Sequence, residues 1–282
     1  MNNFYTRTLT GAGIVLFILG GFWLHPYTFF AAGLILLTGC VYEYFQIIIG
    51  TGAKPQVATG LIISAYLYTA STLIARGSAG FRLFIILLAF IPAAIIMEIF
   101  RKQQNPFNNL AQTVFPVLYI ALPFSLFPFS AWNHEGLKTI LGNDTFLFSP
   151  ALVIGFFILI WANDTGAYLT GVTMGRHKLL ERISPKKTWE GLAGGLLLSV
   201  VAGFFLPDLI GMTGKAGWII AALITGVAGT FGDLAESMLK RSAGVKDSGS
   251  ILPGHGGFLD RFDSTIMAFP LVYLFVTLFG RF

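Results

Sequence analysis

Long apolar runs broken by short polar segments organise this sequence. Nine of them, at 9–24, 29–49, 57–75, 81–100, 111–130, 150–171, 191–210, 216–235 and 264–280, have the make-up of membrane-crossing helices. A helix needs about 20 mostly apolar residues to span the hydrocarbon core of a bilayer. The pattern therefore predicts an all-α, polytopic integral membrane protein with about nine transmembrane helices. The first run is short and follows Arg7, as in a signal peptide. It ends in Gly-Gly-Phe-Trp-Leu-His with no small-x-small cleavage pattern, so it is read as an uncleaved membrane helix.

Composition agrees with the pattern. Of 282 residues, 55% are hydrophobic and 11% charged, and the mean hydropathy is +0.75, whereas a soluble domain carries about 25% charged residues. The net charge of +5 is spread over loops and does not form the clustered basic face of a nucleic-acid binder. Cys40 is the single cysteine, which excludes an intramolecular disulfide and a thiolate metal site. With the N-terminus cytoplasmic, Arg76, Arg82, Lys138, Lys215 and Arg281 fall outside, and the other 13 of the 18 Lys and Arg residues fall inside. Cytoplasmic loops carry this bias, so nine helices with the N-terminus cytoplasmic are expected.

Polar residues divide the chain near residue 150, into N-terminal membrane helices (1–150) and a C-terminal catalytic membrane region (151–282). The first half carries little besides apolar residues, with Glu43 and Glu98 read as lying at the interface. In the second half, Gly191-x-x-x-Gly195 and Gly226-x-x-Gly229-x-x-Gly232 place small residues at helical spacing, a device for close helix packing.

The densest polar segment is Ser237–Asp263, preceded by Asp233 and Glu236. Asp233, Glu236, Ser237 and Lys240 are three and four residues apart, one face of a helix. Asp260 and Asp263 are likewise three apart, at the expected start of the last helix. Carboxylates at membrane depth are costly to ionise without a compensating cation. Several of them converging from two helix ends would suit Mg²⁺, which takes oxygen ligands and shares them with substrate phosphates. Between the helices, Pro253-Gly254-His255-Gly256-Gly257 offers backbone able to take positive φ and amides able to form an anion-binding concavity. Lys240, Arg241, Lys246 and Arg261 would surround it. Acid and base clusters of this kind fit phosphoryl or nucleotidyl transfer. His255, between glycines and near the carboxylates, is a candidate to touch substrate or metal. His25 and His134 are read as bystanders and His177 as interfacial.

A second cluster runs from Asn163-Asp164-Thr-Gly-Ala-Tyr168 to Ser184-Pro-Lys186-Lys187-Thr-Trp-Glu190. Asp164 interrupts an apolar run, which marks it as functional. Ser184 followed by Pro185 reads as a helix N-cap, which would put Lys186 and Lys187 at a phosphate-binding helix N-terminus. Two crossings separate this loop from the Lys240–Arg261 loop, so both face the same side and can share one site.

These segments resemble a known family. Ser237–Asp263 is similar to the defining motif of the phosphatidate cytidylyltransferases, also called CDP-diacylglycerol synthases. Asp164-Thr-Gly-Ala-Tyr and Ser-Pro-Lys-Lys-Thr-Trp-Glu-Gly resemble segments of the same family in the same order. The specific match covers roughly residues 161–263, with Asn163 standing where a small residue such as alanine is expected. The resemblance implies transfer of CMP from CTP to phosphatidate, giving CDP-diacylglycerol and pyrophosphate in phospholipid biosynthesis. It implies Mg²⁺, alone or with a second cation, and an integral protein of the bacterial inner membrane with its site on the cytoplasmic side. The implied partners are CTP, phosphatidate and the lipid bilayer, with no nucleic acid; a homo-oligomer is compatible. Carried onto this chain, Asp233, Asp260 and Asp263 are the expected metal ligands. Asp247, Lys246, His255, Arg261 and Asp164 are the expected catalytic residues. Ser237, Lys240, Arg241, Lys186, Lys187, Gly254, Gly256 and Gly257 are expected to bind substrate.

Two other readings compete. A CTP-dependent polyprenol kinase, or a cytidylyltransferase for another lipid, would use the same nucleotide and metal chemistry. An ion-coupled transporter would also show intramembrane acids and glycine-broken helices, but the charges here gather toward one face and no inverted repeat is visible.

Overall fold

The computed structural model describes residues 3–133, 147–210, 214–249, 251–252, 254 and 256–279. Among the described residues, nine helical segments follow the nine apolar runs: α1 (Asn3–Trp23), α2 (Pro26–Gly50), α3 (Val57–Ala75), α4 (Leu83–Arg101), α5 (Pro106–Ala131), α6 (Ala151–Met174), α7 (Trp189–Ile210), α8 (Lys215–Ser242) and α9 (Leu259–Phe279). Among the described residues, α2 to α9 are eight helices long and apolar enough to cross a membrane, whereas the apolar stretch of α1, Thr8–Trp23, is shorter. The chain is an all-α, polytopic membrane protein. The loops after α2 keep their alternation whether or not α1 crosses; only the N-terminal segment with Arg7 would change sides.

The chain forms two compact units. The first comprises Met1–Pro150 and Ala243–Arg261, the second Ala151–Ser242 and Phe262–Phe282. In the first unit α2 is the interior helix, burying Phe29, Leu37, Val41 and Phe45. His25, read from the sequence as a bystander, caps α2: its Nδ1 accepts the Tyr27 N–H at 3.2 Å, and Thr28 closes the reciprocal box. Phe29 packs edge-on against Phe22, Trp132 and Phe148; Trp132 and Phe148 pair across the short strands β1 (Trp132–Asn133) and β2 (Leu147–Phe148). By contrast α4 turns Ile85, Leu88, Ile95 and Phe100 outward, a surface that suits lipid tails. Its lower end carries a buried polar knot. Glu98, only 3% exposed, accepts from Gln56 (2.8 Å), Asn109 (3.0 Å) and Arg101 (2.7 Å). Three donors from the chain take the place of water around this acid in the last turn of α4. In α5, Val117–Ala121 widens into a π-helical turn between Pro116 and Pro123. Each proline removes a backbone donor, and the wider turn absorbs the broken ladder.

The second unit packs α6, α7, α8 and most of α9 through a seam of small residues. A Cβ on Gly166 would lie 2.5 Å from the Gly194 carbonyl oxygen, and one on Gly195 would lie 2.7 Å from Asn163 Oδ1. The glycine pattern thus does what its spacing predicted, letting backbones touch. Asn163 is 6% exposed, and the room left by Gly195 and Gly226 is what lets an amide stand where a smaller side chain was expected.

Candidate active site

In the second unit the segment after α6 folds back as an antiparallel hairpin, β3 (Lys178–Leu180) with β4 (Ser184–Thr188), pairing Lys178 with Thr188 and Leu180 with Ser184. This corrects the expected helix start at Ser184-Pro185. The proline occupies a strand, and α7 begins only at Trp189, where Thr188 Oγ1 accepts the Gly191 N–H at 3.1 Å as the N-cap. Lys186 and Lys187 therefore sit on a strand and not at a helix N-terminus. Glu190, in the first turn of α7, accepts from the Arg176 and His177 amides and lies 2.6 Å from His177 Nδ1, which closes the base of the hairpin.

The hairpin walls a cavity of about 380 Å³. Asp164 and Tyr168 line it from α6, Lys186 and Lys187 from β4, Asp233 from α8 and Ser264 from α9. The α6 residues Asn163, Ala167 and Gly171 line it too, because residues four apart share a helix face. Lys187 Nζ reaches Asp233 Oδ2 at 2.7 Å and the Thr230 carbonyl oxygen at 3.2 Å, tying hairpin to α8. Both side chains are partly exposed, so the pair adds little to stability; its effect is to hold a lysine and a carboxylate at the cavity wall. Asp233 Oδ1 also accepts from Ser237 Oγ at 3.2 Å.

Asp263 lies under this wall, 8% exposed, within the electrostatic reach of Asp233, Glu236 and Asp164. Its Oδ1 accepts the Ser264 N–H at 2.6 Å, and Ser264 Oγ donates to the Gly229 carbonyl. Glu236, 1% exposed, takes Lys240 Nζ at 2.5 Å. Four carboxylates thus share one field, and among the described residues Asp233 takes Lys187 and Glu236 takes Lys240. Acids gathered in this way suit a hard cation that takes oxygen ligands. Among the described residues, no three His, Cys, Asp or Glu side chains are grouped to hold a metal ion. Mg²⁺ is commonly bound by one or two carboxylates completed by water and substrate phosphates, and the donor chemistry of Asp233 and Asp263 fits that mode.

The remaining expected site residues divide between the units. Ser237, Lys240 and Arg241 belong to α8, with Arg241 exposed in its last turn. Lys246, Asp247, Gly254, Gly256, Gly257, Asp260 and Arg261 belong to the first unit; Lys246, Asp247 and Arg261 are exposed there. His255 lies outside the described residues. Gly254 and Gly256 take the expected positive φ, at 74° and 79°, and Leu252 N–H bonds the Gly256 carbonyl at 3.0 Å. Two amides of this loop serve the chain's own carboxylate: Ser248 N–H (3.1 Å) and Gly257 N–H (2.8 Å) both donate to Asp260 Oδ2. Asp260, expected as a metal ligand, here organises the loop.

Sequence reasoning missed Glu43. It is 1% exposed, and Oε2 accepts from Ser248 Oγ at 2.9 Å and from Leu259 N–H at 2.8 Å. The available signal was an acid inside an apolar run, a pattern that an interfacial residue shares.

A multi-span helical body thus carries a polar cavity that combines acids and lysines. The chain belongs to the cytidylyltransferase family, whose model matches residues 5–279. It is similar to the phosphatidate cytidylyltransferase of Brucella suis biovar 1, with 38% identity over 153 residues, 54% of this chain and 56% of that protein. The protein of that name from Staphylococcus aureus (strain COL) is 40% identical over 173 residues, 61% of this chain and 60% of that one. The one from Haemophilus influenzae is 44% identical over 129 residues, 44% and 45%. The chain thus spans about half the length of the curated relatives it matches.

Proposed function

We propose that the protein is a phosphatidate cytidylyltransferase, joining CMP from CTP to phosphatidate and releasing pyrophosphate, at the cytoplasmic face of a bacterial plasma membrane. The observation that carries this reading is the cavity in which Lys186 and Lys187 face Asp164 and Asp233. Family membership and the printed names of the relatives support it. The 13-to-5 distribution of basic residues supports the cytoplasmic side.

In the reaction a phosphate oxygen of phosphatidate attacks the α-phosphorus of CTP; the new P–O–P bond forms as the bond to the β-phosphate oxygen breaks, and pyrophosphate leaves. A phosphate monoester is already anionic near neutral pH, so the chain needs to supply no strong base. Lys186 binds a phosphate of CTP. Lys187 does the same while holding Asp233 at the wall. Mg²⁺, held by Asp233 and Asp263, would neutralise phosphate charge. Asp164 orients groups from the opposite wall. Positioning and charge stabilisation account for the rate.

Purified protein given CTP and phosphatidate is expected to form CDP-diacylglycerol and pyrophosphate, and a chelator is expected to abolish both. Formation of CDP and a phosphorylated alcohol from a polyprenol, with no CDP-lipid from phosphatidate, would replace this reading by the kinase one. Lys186→Ala is expected to raise KM for CTP about tenfold with kcat nearly unchanged, the mark of lost uniform binding. Lys187→Ala should also lower kcat, because Asp233 loses its partner. Steady-state kinetics on the two variants separate these roles.

A further inference from the structure

The geometry points to Glu43 as the residue that positions the 248–261 loop for the reaction, an inference that rests on the transferase reading above. Glu43 belongs to the N-terminal half, 205 residues from Ser248 and 216 from Leu259. A carboxylate buried in an otherwise apolar helix is costly unless it is bonded; Oε2 of Glu43 takes both of its bonds from this loop, while Oε1 is buried without a hydrogen-bond donor. Ser248 acts as a relay: its Oγ donates to Glu43 and its N–H to Asp260. Leu259, the other donor, is the first residue of α9. One side chain thus holds both ends of the turn from Ser248 to Leu259, and Lys246, Asp247, Asp260 and Arg261 flank that turn.

The loop is also shaped to receive Glu43. A Cβ on Gly249 would lie 2.7 Å from Oε1, and one on Gly257 would collide with Oε2 and with Ser248 Oγ. Two glycines therefore leave space for the carboxylate, while Asp260 takes the Gly257 amide from the other side. A displacement of about 1 Å at reacting groups can cost ~100-fold in rate, so a seat of this kind acts on turnover. Glu43 reaches substrate only through the loop and is a positioning residue.

The test compares Glu43→Ala, Glu43→Gln and Ser248→Ala in purified full-length protein, reading kinetics per folded enzyme alongside hydrogen exchange of the loop amides. Glu43→Ala is expected to lower kcat by on the order of 100-fold, with a much smaller change in KM for CTP. Glu43→Gln, which keeps an acceptor oxygen in the seat, is expected to restore most of that loss. Ser248→Ala should cost part of it, and nothing further in the Glu43→Ala background, because residues of one network are not additive. The amides of Ser248, Gly257 and Leu259 should exchange faster in Glu43→Ala. Folded Glu43→Ala with wild-type kcat, strict additivity with Ser248→Ala, or unchanged exchange would each overturn the inference. If Glu43→Ala does not fold, Glu43→Gln and Ser248→Ala decide it by the same two readouts. Should the wild-type protein make no CDP-lipid, the transferase reading fails, and the exchange experiment alone decides whether Glu43 seats the loop.

Discussion

Asp233→Asn is expected to lower kcat for CDP-lipid formation by on the order of 10³-fold, the scale of removing one preorganised charge from a transfer site. Asp233 is where the site's contacts meet: it takes Lys187 from the hairpin, accepts from Ser237 one turn along α8, and lines the cavity. Asparagine keeps the volume and one acceptor oxygen, so helix packing and the Ser237 contact should survive. What is lost is the carboxylate charge of Asp233, which acts on Asp263 in the field they share with Glu236 and Asp164. Were Asp233 only structural, that loss would relieve repulsion and leave activity intact. The expected result is a protein at least as heat-stable as the wild type, with KM for CTP little changed and kcat collapsed. Loss at the chemical step with retained binding is the pattern of an interaction made in the transition state. Turnover within tenfold of wild type would remove Asp233 from the role of cation ligand.

Most of this architecture is legible from the chain because bilayer thickness fixes the length of apolar runs. The nine runs coincide with the nine helical segments to within a few residues at most ends, and the Asp233–Ser237 and Glu236–Lys240 contacts follow from helical spacing alone. The α6 acid and the two lysines of β4, read together as one cluster, line one cavity with Asp233 of α8. What escaped depends on partners remote in sequence. Ser184-Pro185 looks like a helix start locally, but pairing with Lys178–Leu180 makes it a strand. Pro253–Gly257 reads as an anion-binding loop, yet the Gly257 amide is taken by Asp260, a carboxylate three residues on. Glu43 and Glu98 look interfacial because isolated acids in apolar helices usually are, and no local pattern announces donors from distant segments. Periodicity reports which face of a helix is buried, not which buried acid is bonded to what.

Gly232→Ala is expected to be among the most damaging single-methyl additions, because the new Cβ would meet backbone. On α8, that Cβ would lie 2.5 Å from the main-chain oxygen of Asp263 and 3.0 Å from Ser264 Cα and Met267 Cβ, all on α9. A flexible side chain could swing away; a helix backbone has to move as a body, and overpacking of this kind costs about 1–3 kcal/mol. The seam it would pry open joins Asp233, the next residue on α8, to Asp263, so the same shift disturbs both carboxylates assigned to the cation. Activity should therefore fall much further than the fraction of folded protein. Gly229 offers the internal control one turn earlier on α8. There an added Cβ would meet Ser264 Cβ at 3.4 Å, an ordinary contact, and Gly229→Ala should leave melting temperature and turnover close to wild type. Measuring melting temperature and kcat for both variants checks the assignment. Equal behaviour of the two alanines would mean that the α8–α9 seam does not set the geometry of the site, whereas a selective loss in Gly232→Ala ties helix packing directly to the placement of Asp263.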